Sequence, residues 1–190
     1  MPSDDENPLT RIGVLQMQHV ADFLVQSVGA VSRPTIQLVS SPMLRAMQSS
    51  HIVATRLGIV SEIEPALRER NFGVLDGVSM GECQRQQMLA HRSPDRCVAG
   101  ESIKEHRFRA WSWFEHKVLA SQQVDWFVIV AHGGTIEQLQ MSLIGAPVQR
   151  SASVFFACEP AAFHEWTLLK QPIEGWILRA DAVNRRVYVE

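Results

Sequence analysis

The apolar positions of this chain fall into short runs and helical stripes, and one stretch shows both. Trp126 to Ala131 is an unbroken apolar run of the length and β-branched content expected of a buried strand. It meets His132, Gly133, Gly134 and Thr135. Ile136, Leu139, Leu143 and Ile144 then recur at helical spacing, with Thr135 as the expected cap. The pattern predicts strand, tight glycine turn and helix N-terminus, with His132 at the carboxyl end of the strand. In open α/β sheets ligands bind there, and turn amides beside a helix N-terminus favour an anion.

Upstream, Thr10 can cap a helix whose inner face is Met17, Val20, Ala21, Leu24, Val25 and Val28, with Gly29 as its stop. Thr35 to Ser40 reads as a strand. Pro42 then opens a second helix that carries Arg45 in its first turn and runs to Leu57 before Gly58. Residues 64 to 82 are irregular and rich in charge and glycine, and a short helix follows to about His91. After a loop over 92 to 101, Ser102 caps a helix with Ile103, Arg107, Ala110, Trp111, Phe114 and Val118 on one face. Strand-like runs follow at Ser153 to Cys158, Phe163 to Leu169, Trp176 to Ala180 and Arg186 to Val189. Strands alternating with helices predict an α/β fold, and with no linker or repeat residues 1–190 read as one domain.

Composition narrows the function classes. The chain has 190 residues, 46% of them hydrophobic, and a formal charge of -2. That balance gives no electrostatic footprint for nucleic acid or a membrane surface. Cys83, Cys97 and Cys158 are odd in number and widely spaced, as expected of free thiols in a reducing compartment. The acidic start has no apolar segment after it, and no run is long enough to span a bilayer. The expectation is a cytoplasmic protein with no nucleic-acid or membrane partner. The sequence carries no signal for oligomeric state.

Two further residues belong beside His132. Arg45 follows its strand as His132 follows another, and an arginine there can grip a phosphate through two parallel N–H bonds. Glu69, between Arg68 and Arg70, lies in a long irregular segment. A carboxyl beside a bound phosphate is held protonated more easily, so it can donate a proton to a leaving group. Taken singly, Arg45 also reads as a surface residue, Glu69 as part of an ion-pair cluster, and His132 as a residue that merely ends a strand.

Taken in order, these segments resemble the histidine phosphatases, the superfamily that includes the cofactor-dependent phosphoglycerate mutases. The matching motifs are Pro8-Leu9-Thr10-x-x-Gly13, Ser40-Ser41-Pro42-x-Leu44-Arg45-Ala46-x-Gln48-Ser49 and Leu67-x-Glu69-x-x-Phe72-Gly73-x-x-Asp76-Gly77. Gly100-Glu101-Ser102 and Ala131-His132-Gly133-Gly134 complete the set. The resemblance implies a three-layer α/β sandwich with a mostly parallel sheet flanked by helices. It implies a phosphorylated small-molecule substrate and a phosphohistidine intermediate, with neither metal nor other cofactor. It assigns phosphate binding to Arg45, His132 and Gly133, a second catalytic histidine to His132, and leaving-group protonation to Glu69.

One departure bears on all of this. The family's nucleophile lies in an Arg-His-Gly motif ending a strand upstream of the Pro-Leu-Thr segment, and this sequence contains no Arg-His-Gly. Retention of Arg45, Glu69 and His132 favours an N-terminally incomplete phosphatase, inactive over residues 1–190 alone. The alternative is a non-catalytic anion-binding or interaction module. Gly77-Val78-Ser79-Met80-Gly81 also fits a serine-esterase elbow, but no buried strand precedes it. Only 22 residues separate Gly77 from Gly100, and Arg85, Arg92 and Arg96 include no adjacent pair. The phosphoglycerate mutases carry a longer insertion here, with extra arginines for a second anionic group. With Met80, Met88 and Leu89 nearby, the resemblance therefore implies a phosphatase of relaxed specificity rather than a mutase.

Overall fold

A computed structural model describes residues 6–29, 32–73, 99–148, 156–170 and 176–188. Helix α1 spans Arg11–Gly29, β1 Ile36–Ser40, α2 Leu44–Leu57 and β2 Ser61–Ile63. A single 3-10 turn over Pro65–Leu67 precedes α3, Ile103–Phe114, which continues as a π-helical turn over Glu115–Leu119. Strand β3 is Trp126–Val130 and α4 is Gly133–Leu143. The hairpin strands β4 and β5 are Phe163–Lys170 and Trp176–Arg185.

Strands β2, β1 and β3 form a parallel sheet in that order. Successive residues of β1 point to opposite faces, so they divide the core in two. Leu38 packs with Met17, Val20 and Ala21 of α1 and Val53 and Ala54 of α2. Val39, its neighbour, packs with Ala110, Phe114 and Val118 of the α3 segment and Leu139 of α4. The result is the expected three-layer arrangement, with two helices on each face among the described residues.

Local chemistry accounts for most boundaries. Thr10 Oγ1 accepts the Gly13 N–H at 3.0 Å and opens α1. Gly58, at φ 67°, ends α2 in the left-handed conformation. Ser102 and Glu105 form a reciprocal capping box at the start of α3. Four sequence expectations need correction. Helix α2 begins at Leu44, with Met43 rather than Ser41-Pro42 at its cap. Helix α4 is capped by His132, and the Thr135 hydroxyl is committed elsewhere. Strand β5 reaches Arg185, and residues 186–188 lie outside it rather than forming a further strand. The short β2 was not expected at all.

Among the described residues the sheet is open on one side. There β3 is an edge strand, although its sequence is the most continuously apolar in the sheet and each of its residues is only half-buried. The β4–β5 hairpin forms a separate two-stranded sheet, yet it reaches both helical layers. Leu168 packs on the α3–α4 side, while Ala161 and Val187 pack on the α1–α2 side. Phe163 stacks on Phe23 of α1 at 5.0 Å between centroids, with the Arg185 guanidinium over both rings.

Candidate functional site

Parallel pairing brings the carboxyl ends of β1 and β3 side by side. Ser40 lies in register with Val130, and the Ser41 N–H donates to the Val130 carbonyl at 2.9 Å. His132, 7% exposed, has Nε2 at 2.8 Å from Ser41 Oγ. Arg45 stands in the first turn of α2, four residues beyond Ser41, with Nη2 at 3.7 Å from Met43 Sδ. The serine–histidine contact has the form of a nucleophile and its base. Ser41 is 0% exposed, and the contact orients the imidazole.

Glu69 reaches the same end of the sheet from the opposite side. The N–H of Gly134 donates to its Oε2 at 3.0 Å, and the N–H of Arg70 to its Oε1 at 2.8 Å. The amide of Gly134, second residue of α4, has no acceptor within its own helix. A carboxylate there satisfies the donor and complements the helix dipole. The glycine is needed because a Cβ at this position would run into the Glu69 carboxylate. Gly133 faces the Cys158 backbone, where an added Cβ would lie at 3.5 Å, an ordinary contact. Thus Glu69, His132 and Gly133 converge on one helix N-terminus, and Arg45 stands in the first turn of the helix that follows the neighbouring strand.

The segment carrying Glu69 is held by α3 and its approach. Arg109 makes a two-pronged pair with Glu101, Nε to Oε1 at 2.9 Å and Nη2 to Oε2 at 2.8 Å. It also donates from Nη1 to the carbonyls of Ala66 at 2.7 Å and Arg68 at 3.2 Å. Arg70 Nε donates to the Glu101 carbonyl at 2.9 Å. Where these strands of loop cross, Gly100 leaves no room for a side chain. A Cβ there would sit 2.6 Å from the Asn71 carbonyl oxygen and 2.8 Å from the Gly73 nitrogen. Both are backbone atoms that cannot swing away. Gly100→Ala is expected to lower stability by about 1–3 kcal/mol, read as a reduced denaturant midpoint at unchanged m-value.

The local electrostatics are uneven. Burial raises the Glu137 carboxyl above the ordinary carboxylate range; Arg107 opposes this, and the Glu69 charge adds to it. Burial, with Glu69 and Glu137 nearby, pushes the Cys158 thiol up to about 11, so it remains a neutral thiol. Burial also draws on Glu101, but the hydrogen bonds from Arg109 and Asn71 outweigh it and lower its carboxyl. Residue by residue inspection of the sequence did not single out Glu137 or His106, the latter 1% exposed on the inner face of α3. His106 stands four residues before Ala110, so the helical spacing that selected Ala110 and Phe114 could have found it.

Asp76, Gly77, Ser79, Cys83 and Cys97 lie outside the described residues, as do Arg85, Arg92, Arg96, Met80, Met88 and Leu89. Cys158 is a free thiol. No helix among the described residues is long and apolar enough to cross a membrane.

Comparison with known proteins bears on the geometry. The sequence model of the histidine phosphatase superfamily (branch 1) matches residues 2–169. A Yersinia pestis protein named "Probable phosphoglycerate mutase GpmB" is 30% identical over 148 residues, 75% of this chain and 66% of that protein's length. The mycobacterial glucosyl-3-phosphoglycerate phosphatase in complex with inorganic phosphate superposes with a TM-score of 0.78 at 21% identity. That match covers 100% of this chain and 93% of the other. The alpha-ribazole phosphatase from Shigella flexneri gives a TM-score of 0.74 at 18% identity, over 100% and 91% of the two chains. At such identities the structural likeness is one of fold.

Proposed function

The chain belongs to the histidine phosphatase superfamily, and on that premise we propose that its site serves phosphomonoester hydrolysis through a phosphohistidine, without a metal. Arg45, His132 and the Gly133 amide grip the phosphoryl oxygens, where hydrogen bonds from fixed donors stabilise developing charge. Glu69 protonates the leaving oxygen. The observation that carries this reading is the meeting of Glu69 and His132 at the N-terminus of α4, at the carboxyl ends of a parallel sheet.

The nucleophilic histidine comes, on this reading, from a strand outside residues 1–190 that pairs with the edge of β3 left without a partner among the described residues. An apolar strand of a parallel sheet is ordinarily covered on both sides, and an open apolar edge is a pairing template. Supporting this, the β4–β5 hairpin touches both helical layers yet, among the described residues, shares no ladder with β3. The substrate is a phosphorylated small molecule, taken with relaxed specificity, and the protein is a cytoplasmic single domain.

The anion grip is testable without turnover. Phosphate or vanadate is expected to raise the melting temperature of residues 1–190, by about 2.7 kcal/mol of added stability at a hundredfold excess over Kd. Arg45→Ala is expected to abolish the shift while leaving the unliganded melt nearly unchanged. Ligand-independent melting of the unaltered chain would overturn the assignment of the anion site. Binding without any hydrolysis, even when a histidine-bearing strand is supplied, would instead favour the anion-binding module.

A further inference from the structure

Next to Glu69, on the peptide that precedes it, ends a buried polar chain that the proposed chemistry does not use. The Thr135 hydroxyl, 0% exposed, donates to the Arg68 carbonyl at 2.8 Å, and His106 Nε2 lies 3.0 Å from the same hydroxyl oxygen. A hydroxyl has one hydrogen. With that hydrogen on Arg68, the Thr135 oxygen accepts from His106, which fixes the Nε2–H tautomer. The chain therefore runs from α3 through the first turn of α4 to the peptide that immediately precedes Glu69.

We propose that His106 and Thr135 are positioning residues that hold the Arg68–Glu69 peptide so that the Glu69 carboxylate stays on the Gly134 N–H. Three features support this over simple core filling. The two side chains come from different helices, and both converge on one carbonyl beside the acid. Arg109 donates to that carbonyl as well, at 3.2 Å, so the peptide is held from both sides. A group that transfers a proton depends on placement to within a fraction of an ångström, and Glu69 has no helix or strand of its own to supply it. The functional meaning of the relay rests on the phosphatase reading, but the relay itself can be tested without substrate.

The reporter is the Gly134 amide of residues 1–190 in a pH series of ¹H–¹⁵N spectra. Its shift should follow ionisation of Glu69, and Glu69→Gln should flatten the curve. His106→Leu removes the donor from a position remote from Gly134 in sequence and keeps the buried site filled. It is expected to collapse the amplitude of the Gly134 titration while the rest of the spectrum stays folded. Thr135→Val should do the same, and Thr135→Ser should restore it, since only the hydroxyl matters. If His106→Leu does not fold, the contrast between Thr135→Val and Thr135→Ser decides. A Gly134 titration that superimposes on the unaltered one in either variant would overturn the proposal and leave a packing role. Loss of phosphate binding with this titration intact would sink the phosphatase reading instead.

Discussion

Joining an apolar strand that ends in Arg-His-Gly ahead of Pro8 is expected to give a phosphomonoesterase that works in EDTA. Residues 1–190 alone should be inactive by this route. Neighbouring strands lie about 4.8 Å apart. On the proposed reading, a strand added in parallel to β3 and ending level with Val130 brings its histidine to the same end of the sheet as His132. The extended chain should hydrolyse p-nitrophenyl phosphate and carry acid-labile phosphate, and replacing the added histidine by alanine should remove both. Glu69→Gln should then cost about 10²–10⁴-fold in kcat, with less loss on substrates whose leaving group needs no proton. The substitution keeps an acceptor for the Gly134 N–H, so the loss reads protonation rather than folding. Activity that requires Mg²⁺ or Zn²⁺ would refute the mechanism. Faster interconversion of 2- and 3-phosphoglycerate than hydrolysis of either would refute the phosphatase assignment.

Which parts of this arrangement were legible in the sequence follows from which interactions are local. The β3–α4 unit could be read because its apolar run, glycine pair and helical stripe are adjacent in the chain. The capping box of α3 and the glycine stop of α2 are local for the same reason. Strand β2 could not be read. It has three residues, two of them Ser61 and Glu62, and it exists only because Leu38, Val39 and Ser40 offer it a partner ladder. Thr135 was misassigned because a threonine near a helix start has a local use as a cap. Its real acceptor, the Arg68 carbonyl, is 67 residues away. Arg45, Glu69 and His132 were singled out as candidates through strand ends and motifs, but no motif shows that Gly134 must be small to admit Glu69. That requirement is a distance, and it appears only when the two segments are brought together.

Acidification should weaken this fold well before its ordinary carboxylates titrate, and His106 is the main cause. Burial, then repulsion from Arg109, lowers its imidazole from 6.5 to about 3; Glu101 opposes this, Arg70 adds to it more weakly, and the Arg68 carbonyl opposes it least. The folded value lies below the unfolded one, so the unfolded chain takes up a proton that the folded chain refuses. The stabilisation is complete above about pH 6.5 and is lost as pH falls toward about 3, at about 1.4 kcal/mol per pH unit. For a chain of this size that is roughly 3–5 °C in Tm per unit. His164, also lowered by burial, contributes a slope of the same sign, and the lowered Glu101 adds to it below about pH 4.5. Glu137, whose carboxyl is raised, acts oppositely, its contribution present below about pH 4.5 and lost as pH rises through its folded value. Comparison with His106→Leu cancels these shared effects. The variant should melt lower at pH 7.5 and show a much shallower decline between pH 6.5 and 4.5. Parallel curves for the two proteins would mean that His106 accepts a proton while the fold remains intact.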